Sequence, residues 1–339
     1  MRFCVLGVGA IGGVLGARLA LSGAEVTLVV RNPARRAAIE AHGLCLVEAN
    51  GERRGSAKLR VVGTPADAGA QDAVLLTVKA HQIRALVPAV RALFGAETCV
   101  VTFQNGIPWW YFQRFDGPHA GYRIAALDPD GAIGSAIEAE RIIGCTTYVA
   151  GEVLAQGVVR HGGGVRLPLG ELDGRRSERV VALSAALVRA GFDAPILDDI
   201  RADLWFKAWG NACLNPIGAL THATMGGMCE FRETRALLLA MMAELGVVAG
   251  KLGVAFSQTS DERLAIGERI RNHKPSMLQD VEAGRALEIE ALAGAMVELG
   301  RLTETPMPHF DAVYACAKLL GRAITEEHVA FPPVKVTAN

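Results

Sequence analysis

The sequence carries no excess of charge: Lys+Arg 35 balances Asp+Glu 35 over 339 residues. Without a net field, neither nucleic acid nor an anionic membrane surface is drawn to the chain as a whole, so any anion site must be local. The eight histidines form no H-x-x-x-H or H-E-x-x-H pair, and neither a G-x-S-x-G elbow nor a Walker lysine occurs. Metal-assisted hydrolysis, serine hydrolysis and P-loop phosphoryl transfer therefore lack support, and no metal is expected. The seven cysteines (Cys4, Cys45, Cys99, Cys145, Cys213, Cys229 and Cys316) include no C-x-x-C and no metal-ligand spacing, and read as small core residues. Their odd number, with an N-terminus that enters a strand pattern at Arg2 without an apolar leader, points to a reducing, cytoplasmic setting. The most apolar helical stretch, 236–249, contains Glu244 and falls short of the roughly 18 uninterrupted apolar residues of a membrane span. A face for a homodimer is one use for it.

What is present is a globular chain, 51% hydrophobic and 21% charged, long enough for about two domains. The apolar run 3–7, a helical segment 9–22 and a second apolar run 25–30 form a βαβ unit. A helix over 35–42 and apolar runs at 59–62, 73–78 and 98–103 extend it into a parallel sheet. The runs 142–150, 153–161 and 165–169 have short Gly-containing joins and are predicted to close that sheet as antiparallel hairpins. Beyond about Asp198 strand patterns stop, and helices are predicted near 200–219, 232–252, 260–271, 277–300 and 308–321. Pro332-Pro333 begins a short tail. The predicted fold is α/β: a Rossmann-type, doubly wound sheet over 1–198, followed by an all-helical domain over 199–339.

Gly7-Val8-Gly9-Ala10-Ile11-Gly12 is a G-x-G-x-x-G that starts where the first strand ends and opens a helix, the setting a dinucleotide-binding turn requires. Gly7 permits the turn, Gly9 lets backbone approach a pyrophosphate, and Gly12 lets helix and strand pack closely. A ligand-free glycine turn is the bland alternative, which the βαβ frame argues against. The second strand ends in Arg31 rather than in the acidic residue that hydrogen-bonds an NAD ribose, so a 2′-phosphate, and hence NADP, is favoured there. Arg35 or Arg36 could assist, and an ordinary solvated arginine is the alternative. Lys79 and Asn105 follow two further strands, at the carboxyl edge where such sheets hold ligands, although Asn105-Gly106 is also a common turn dipeptide.

In LWFKAWGNACLNP, Lys207, Asn211 and Asn215 fall at i, i+4 and i+8 and share one helix face. Flanked by Trp205, Phe206, Trp209 and Leu214, that strip would be partly desolvated, which favours a lysine able to give up a proton. A solvated polar face is the other reading. Ser276 followed by Gln279 reads first as a capping box, although a serine at a helix start can also meet a bound carboxylate. Glu288, twelve residues further on, would lie about 18 Å along a straight helix, too far to grip the same small molecule. The methionines at 225–228 and 241–242 read as core or hinge packing.

Taken together, GVGAIG, the Arg31 strand end, VKAHQ, QNG, LWFKAWGNACLNP and KPSMLQDVEAGRALEIE resemble the ketopantoate reductase (2-dehydropantoate 2-reductase) family over nearly the whole chain. The resemblance implies a Rossmann domain for NADPH, a helical domain closing over a 2-keto acid, and reduction of ketopantoate to pantoate, a step of pantothenate biosynthesis. It implies Lys207 as proton donor, with Asn105, Asn211, Asn215 and Ser276 around the substrate. It also implies cofactor contacts from Gly7, Val8, Gly9, Ala10, Ile11, Gly12, Arg31, Lys79, Gln82, Asn105, Ala150 and Glu288.

Two features depart from the family pattern. An aromatic insert, WWYF within 107–141, could cap or reshape the pocket, and no asparagine stands near Thr224-Met225. They leave open a paralogue acting on another 2-keto acid, a sugar acid or an imine. A non-catalytic NADP-binding sensor is the reading outside the enzymes, and it would not need the Lys207, Asn211 and Asn215 strip.

Overall fold

A computed structural model of the chain describes residues 1–55 and 59–332. The tail expected from Pro332-Pro333 lies, from residue 333 on, outside the described residues. The described strands are β1 (Arg2–Leu6), β2 (Glu25–Val29), β3 (Cys45–Val47), β4 (Arg53–Gly55), β5 (Leu59–Val62), β6 (Gln71–Leu76), β7 (Phe94–Thr102), β8 (Ile142–Cys145), β9 (Ala150–Ala155), β10 (Val158–Gly163) and β11 (Leu169–Glu171).

Seven of them form one sheet in the order β11-β8-β7-β6-β1-β2-β5. All its pairs are parallel except β8 with β11. The order reverses between β1 and β6, so the strand ends at Leu6 and Leu76 flank the switch point where doubly wound sheets bind their ligands. The strand interiors are near-continuous Val, Leu and Cys because both faces are covered.

The predicted hairpin ending of this sheet is corrected in part. β8 continues the parallel sheet beside β7, and the β9–β10 hairpin leaves it for a second sheet of order β4-β3-β10-β9. That sheet covers the helix Ala10–Leu21, where a Cβ on Gly13 would stand 2.5 Å from Val159 Cγ1. On the opposite side a Cβ on Gly16 would meet Leu28 at 3.0 Å. The helix is thus buried nearly all round, which is why its sequence is glycine-rich and, apart from Arg18 paired with Glu48, apolar rather than amphipathic.

The chain divides into two compact units. The first comprises Met1–Gln104, Pro108–Arg123 and Asp128–Asp203; the second comprises Asn105–Ile107, Ile124–Leu127 and the chain from Leu204 onward. The division falls inside the helix Ile200–Thr221, and two short stretches from within 1–198 belong to the helical unit. Both are held there by hydrogen bonds. Ile107 N–H donates to the Ala291 carbonyl at 3.2 Å, and the N–H groups of Ala125 and Ala126 donate to the Glu298 carboxylate at 2.7 Å each.

In the helical unit Trp209 stacks on Phe256 and donates through Nε1 to the Met242 carbonyl at 2.8 Å. The apolar side chains of the helix Arg232–Lys251, among them Leu238, Met241, Met242 and Leu245, are buried in this same unit. The 236–249 stretch therefore spends its apolar character on its own core, with Val247 left exposed. No described helix is long and apolar enough to cross a membrane.

The single helix expected over 277–300 is broken. A helix Ser276–Glu282 stops where Gly284 turns to positive φ and Arg285 N–H closes on the Asp280 carbonyl. The chain resumes as a π-helical turn, Glu290–Gly294, continuous with the helix Ala295–Leu302. A glycine C-cap inside VEAGRALEIE is the physical reason, and it removes the straight-helix separation of Ser276 and Glu288.

Candidate active site

In the first unit, β1 delivers the chain to Gly7, whose φ is +105° and where a Cβ would lie 2.5 Å from Val78 N. A Cβ at Gly12 would lie 2.2 Å from the Gly7 carbonyl oxygen and 2.4 Å from Thr77 Oγ1. Around Gly9, by contrast, nothing stands within 4 Å of that position, so backbone is bare on the side a phosphate would approach. The helix begins at Gly9 without a side-chain cap, leaving first-turn N–H groups to a ligand. Val8 is buried, while Ala10 and Ile11 are half-buried beside it.

Two residues outside the motif brace the turn. Thr77 Oγ1 lies 3.0 Å from the Leu6 carbonyl oxygen and 2.8 Å from that of Gly7, and Arg35 Nη1 donates to the Val8 carbonyl at 2.5 Å. Arg35 also donates to Gln156 at 3.2 Å, so it is engaged with protein rather than standing ready to assist Arg31. Arg36 lies against Gly63 and pairs with Glu40. Arg31 is exposed at the end of β2 and makes no hydrogen bond or ion pair among the described residues.

Lys79, half-buried, leads a 3-10 turn and its N–H donates to Gln82 Oε1 at 3.3 Å. Ala150 is exposed at the start of β9, next to Gly151, where a Cβ would lie 3.2 Å from the Ala10 carbonyl oxygen. The glycine turn thus offers bare backbone and uncapped first-turn N–H groups, with Val78 packed beside Gly7 and Gly151 beside Ala10.

The second unit holds the polar set. Lys207 Nζ donates to Asn105 Oδ1 at 2.8 Å across 102 positions of sequence. Asn105 follows the carboxyl end of β7, as expected, and groups with the helix that carries the lysine. Trp205, Ala208 and Trp209 are buried, so the strip sits on an apolar wall, with Lys207 and Asn211 half-buried and Asn215 only 5% exposed. One turn beyond Asn215, a Cβ on Gly218 would stand 2.8 Å from Pro275 Cγ. That packing brings the start of the helix Ser276–Glu282 to the far end of the strip.

Ser276 itself is exposed and is the first helical residue; Pro275 occupies the cap position, so the expected capping box is absent. Gln279 instead donates to the Lys274 carbonyl at 2.9 Å. The serine hydroxyl is therefore not committed to a cap. Glu288 is half-buried just before the π-helical turn. Thr224, near which the family asparagine is missing, caps the helix Met225–Glu230 by accepting from Gly227 N–H. Burial pushes the Cys213 thiol, behind the strip, well above its ordinary range and leaves it inert.

The aromatic insert corrects an expectation. Trp109, Trp110, Tyr111 and Phe112 are 4%, 0%, 0% and 0% exposed, so they line no open pocket. They form a small core of the first unit, and Trp110 Nε1 donates to Thr102 Oγ1 at 3.1 Å. Arg201 locks that core by donating to the carbonyls of Tyr111, Leu172 and Gln113 at 2.7, 2.6 and 2.7 Å.

A doubly wound sheet with a glycine-turn cradle, joined to a helical unit that presents an ammonium and amides, defines a nicotinamide-dependent oxidoreductase. Family sequence models described as "Ketopantoate reductase PanE/ApbA" and "Ketopantoate reductase PanE/ApbA C terminal" match residues 3–174 and 199–321. A 2-dehydropantoate 2-reductase of Mesorhizobium japonicum is 45% identical over 95% of this chain and 98% of its own. The crystal structure of a provisionally assigned ketopantoate reductase from Ralstonia solanacearum MolK2 matches with TM-score 0.89 at 36% identity, over 95% of this chain and 98% of that one. The chain belongs to the ketopantoate reductase family. A D-mandelate dehydrogenase with NADH bound shares the fold, with TM-score 0.80 at 22% identity over 96% and 99% of the two chains.

Proposed function

We propose that the protein reduces a 2-keto acid to the 2-hydroxy acid with NADPH, and that ketopantoate is the substrate. The observation that carries this reading is the Lys207–Asn105 hydrogen bond at the head of a strip that continues through Asn211 and Asn215. The 45% identity to a 2-dehydropantoate 2-reductase supports the substrate. Gly7, Gly9, Gly12, the first-turn N–H groups, Lys79, Gln82 and Ala150 would hold the dinucleotide, with Arg31 at its 2′-phosphate. The nicotinamide, when bound, supplies the hydride.

The chain's own residues then handle charge and proton. As negative charge develops on the substrate's carbonyl oxygen, the Lys207 ammonium stabilises it and gives it a proton. The Asn105 amide oxygen holds that ammonium in one direction without cancelling its charge. Asn211, Asn215 and the uncommitted Ser276 hydroxyl hold substrate oxygens, and their apolar wall limits competing water. Thr224, committed to a helix cap, supports a second reading in which a different 2-keto acid is preferred.

The test is NADPH oxidation by the purified chain across a panel of 2-keto acids. Ketopantoate with the highest kcat/KM supports the first reading, and another keto acid ahead of it supports the second. Tight NADPH binding without turnover of any of them rejects both and favours a sensor.

A further inference from the structure

The peptide that follows Asn105 is fixed within the helical unit. Gly106 has φ +83°, and a Cβ there would lie 2.0 Å from the Ala291 carbonyl oxygen, 2.6 Å from its carbon and 3.1 Å from Leu292 N. The Ile107 N–H donates to that same Ala291 oxygen at 3.2 Å. Ala291 lies in the π-helical turn Glu290–Gly294, whose wider ring offsets its carbonyls from the regular helical ladder.

The turn is itself braced from outside. Tyr314 O–H donates to Glu290 Oε2 at 3.0 Å, and Lys318 Nζ reaches Tyr314 at 2.8 Å and Glu290 at 2.9 Å. A Cβ on Gly294 would fall 2.0 Å from Glu290 Oε2, so only glycine lets that carboxylate fold back over the turn.

We propose that Gly106, seated on this π-helical turn, is a positioning residue that sets the direction of the Lys207 ammonium through Asn105. The physical step is short. Any side chain at position 106 must move either its own peptide or the Ala291 peptide, because both sides of the contact are backbone. Asn105 is the adjacent residue, and a displacement of about 1 Å stretches a 2.8 Å hydrogen bond beyond useful length. The π turn thus works as a fixed stop against which an amide, and then an ammonium, is aimed.

The inference rests on Lys207 being the proton donor, so the experiment reads both turnover and the lysine itself. In the full-length protein, wild type, Asn105→Ala, Gly106→Ala and the double variant are compared. The first readout is the rate at which Lys207 is acylated by acetic anhydride, followed by mass spectrometry against Lys251 in the same molecule. Lys251 is an internal reference because it donates to the Thr303 carbonyl at 2.8 Å, away from these residues. Loss of the amide acceptor disfavours the ammonium, so Asn105→Ala should speed Lys207 acylation several-fold relative to Lys251. Gly106→Ala should do the same, and the double variant should react no faster than Asn105→Ala.

The second readout is kcat on the preferred keto acid. It should fall roughly 10- to 100-fold in Gly106→Ala, with NADPH affinity within about twofold and no further loss in the double variant. A folded Gly106→Ala protein with wild-type Lys207 reactivity overturns the proposal, and so does a loss fully additive with Asn105→Ala. If Gly106→Ala does not fold, Glu290→Ala carries the test by loosening the turn from outside. It must shift Lys207 acylation in the same direction, and no shift overturns the proposal. Acylation that behaves as stated in a protein that turns over no keto acid would retain the positioning and reject the reductase reading.

Discussion

Replacing Arg201 tests whether the aromatic insert is structural. Its guanidinium, on a residue 9% exposed, donates to three carbonyls at 2.6–2.7 Å and lies within 5.6–6.0 Å of the Trp110, Tyr111 and Phe115 ring centres. Arg201→Met keeps much of the stem but leaves those carbonyls without their charged donor, each worth about 1–3 kcal/mol before water and relaxation recover part of it. A net loss of roughly 3–5 kcal/mol is expected, because the three bonds share one group and are not independent. For a unit of this size that corresponds to a fall in Tm of about 6–20 °C. Arg201→Lys should recover only a fraction, since one ammonium on a flexible stem cannot match a planar fork aimed at three oxygens. Thermal unfolding by circular dichroism measures the loss. Hydrogen exchange should show it first in 108–123 and in the start of the Ile200–Thr221 helix. A Tm within about 2 °C of wild type would refute the reasoning.

Lys207→Ala should lower kcat by about 10²- to 10⁴-fold while NADPH affinity stays within about threefold; near-normal turnover in a folded, cofactor-bound variant rejects the proton-donor role. NADPH should be preferred to NADH, and Arg31→Ala should reduce that preference roughly 10- to 100-fold, the worth of a charged hydrogen bond to phosphate. Equal use of both dinucleotides by the unmodified protein would count against the assignment. Trp109 and Trp110, buried as they are, should on replacement by Ala cost about 3–5 kcal/mol each and leave the ranking of keto acids unchanged. A changed ranking at unchanged Tm would restore a pocket role for the insert.

The parts of this protein legible in its sequence are those whose signal is local. The glycine turn, with its strand before and helix after, could be read because Gly7 and Gly12 answer to backbone within the same βαβ unit or its neighbour strand, while Gly9 leaves the turn clear. The Lys207, Asn211 and Asn215 strip followed from helical spacing alone. What sequence patterns missed depends on partners far along the chain. β3 and β10 pair across more than a hundred residues to make the second sheet, and their short lengths give no periodicity to detect. WWYF looks like a pocket lining until Arg201, ninety residues later, supplies the donors that bury it. Two signals were available: Gly284 as a helix stop, and Gly106 as a residue needing positive φ after an asparagine.

That Lys207 donates to an amide rather than to a carboxylate at Asn105 bears on how the site handles an anionic substrate. Asn105 supplies an acceptor and no charge, so this bond orients the ammonium without itself neutralising it. An aspartate would accept the same hydrogen bond with nearly the same shape but would stabilise the proton on the lysine and cancel its field. Asn105→Asp should therefore leave the fold and the dinucleotide turn intact. It should raise KM for a keto acid on the order of tenfold and slow the proton step across the whole range in which the new carboxylate, held below its ordinary pKa by the ammonium, stays ionised. Steady-state kinetics from pH 5 to 8 would measure this. Wild-type kcat/KM for an anionic substrate in the Asn105→Asp variant would mean that the ammonium is not what receives the substrate's charge.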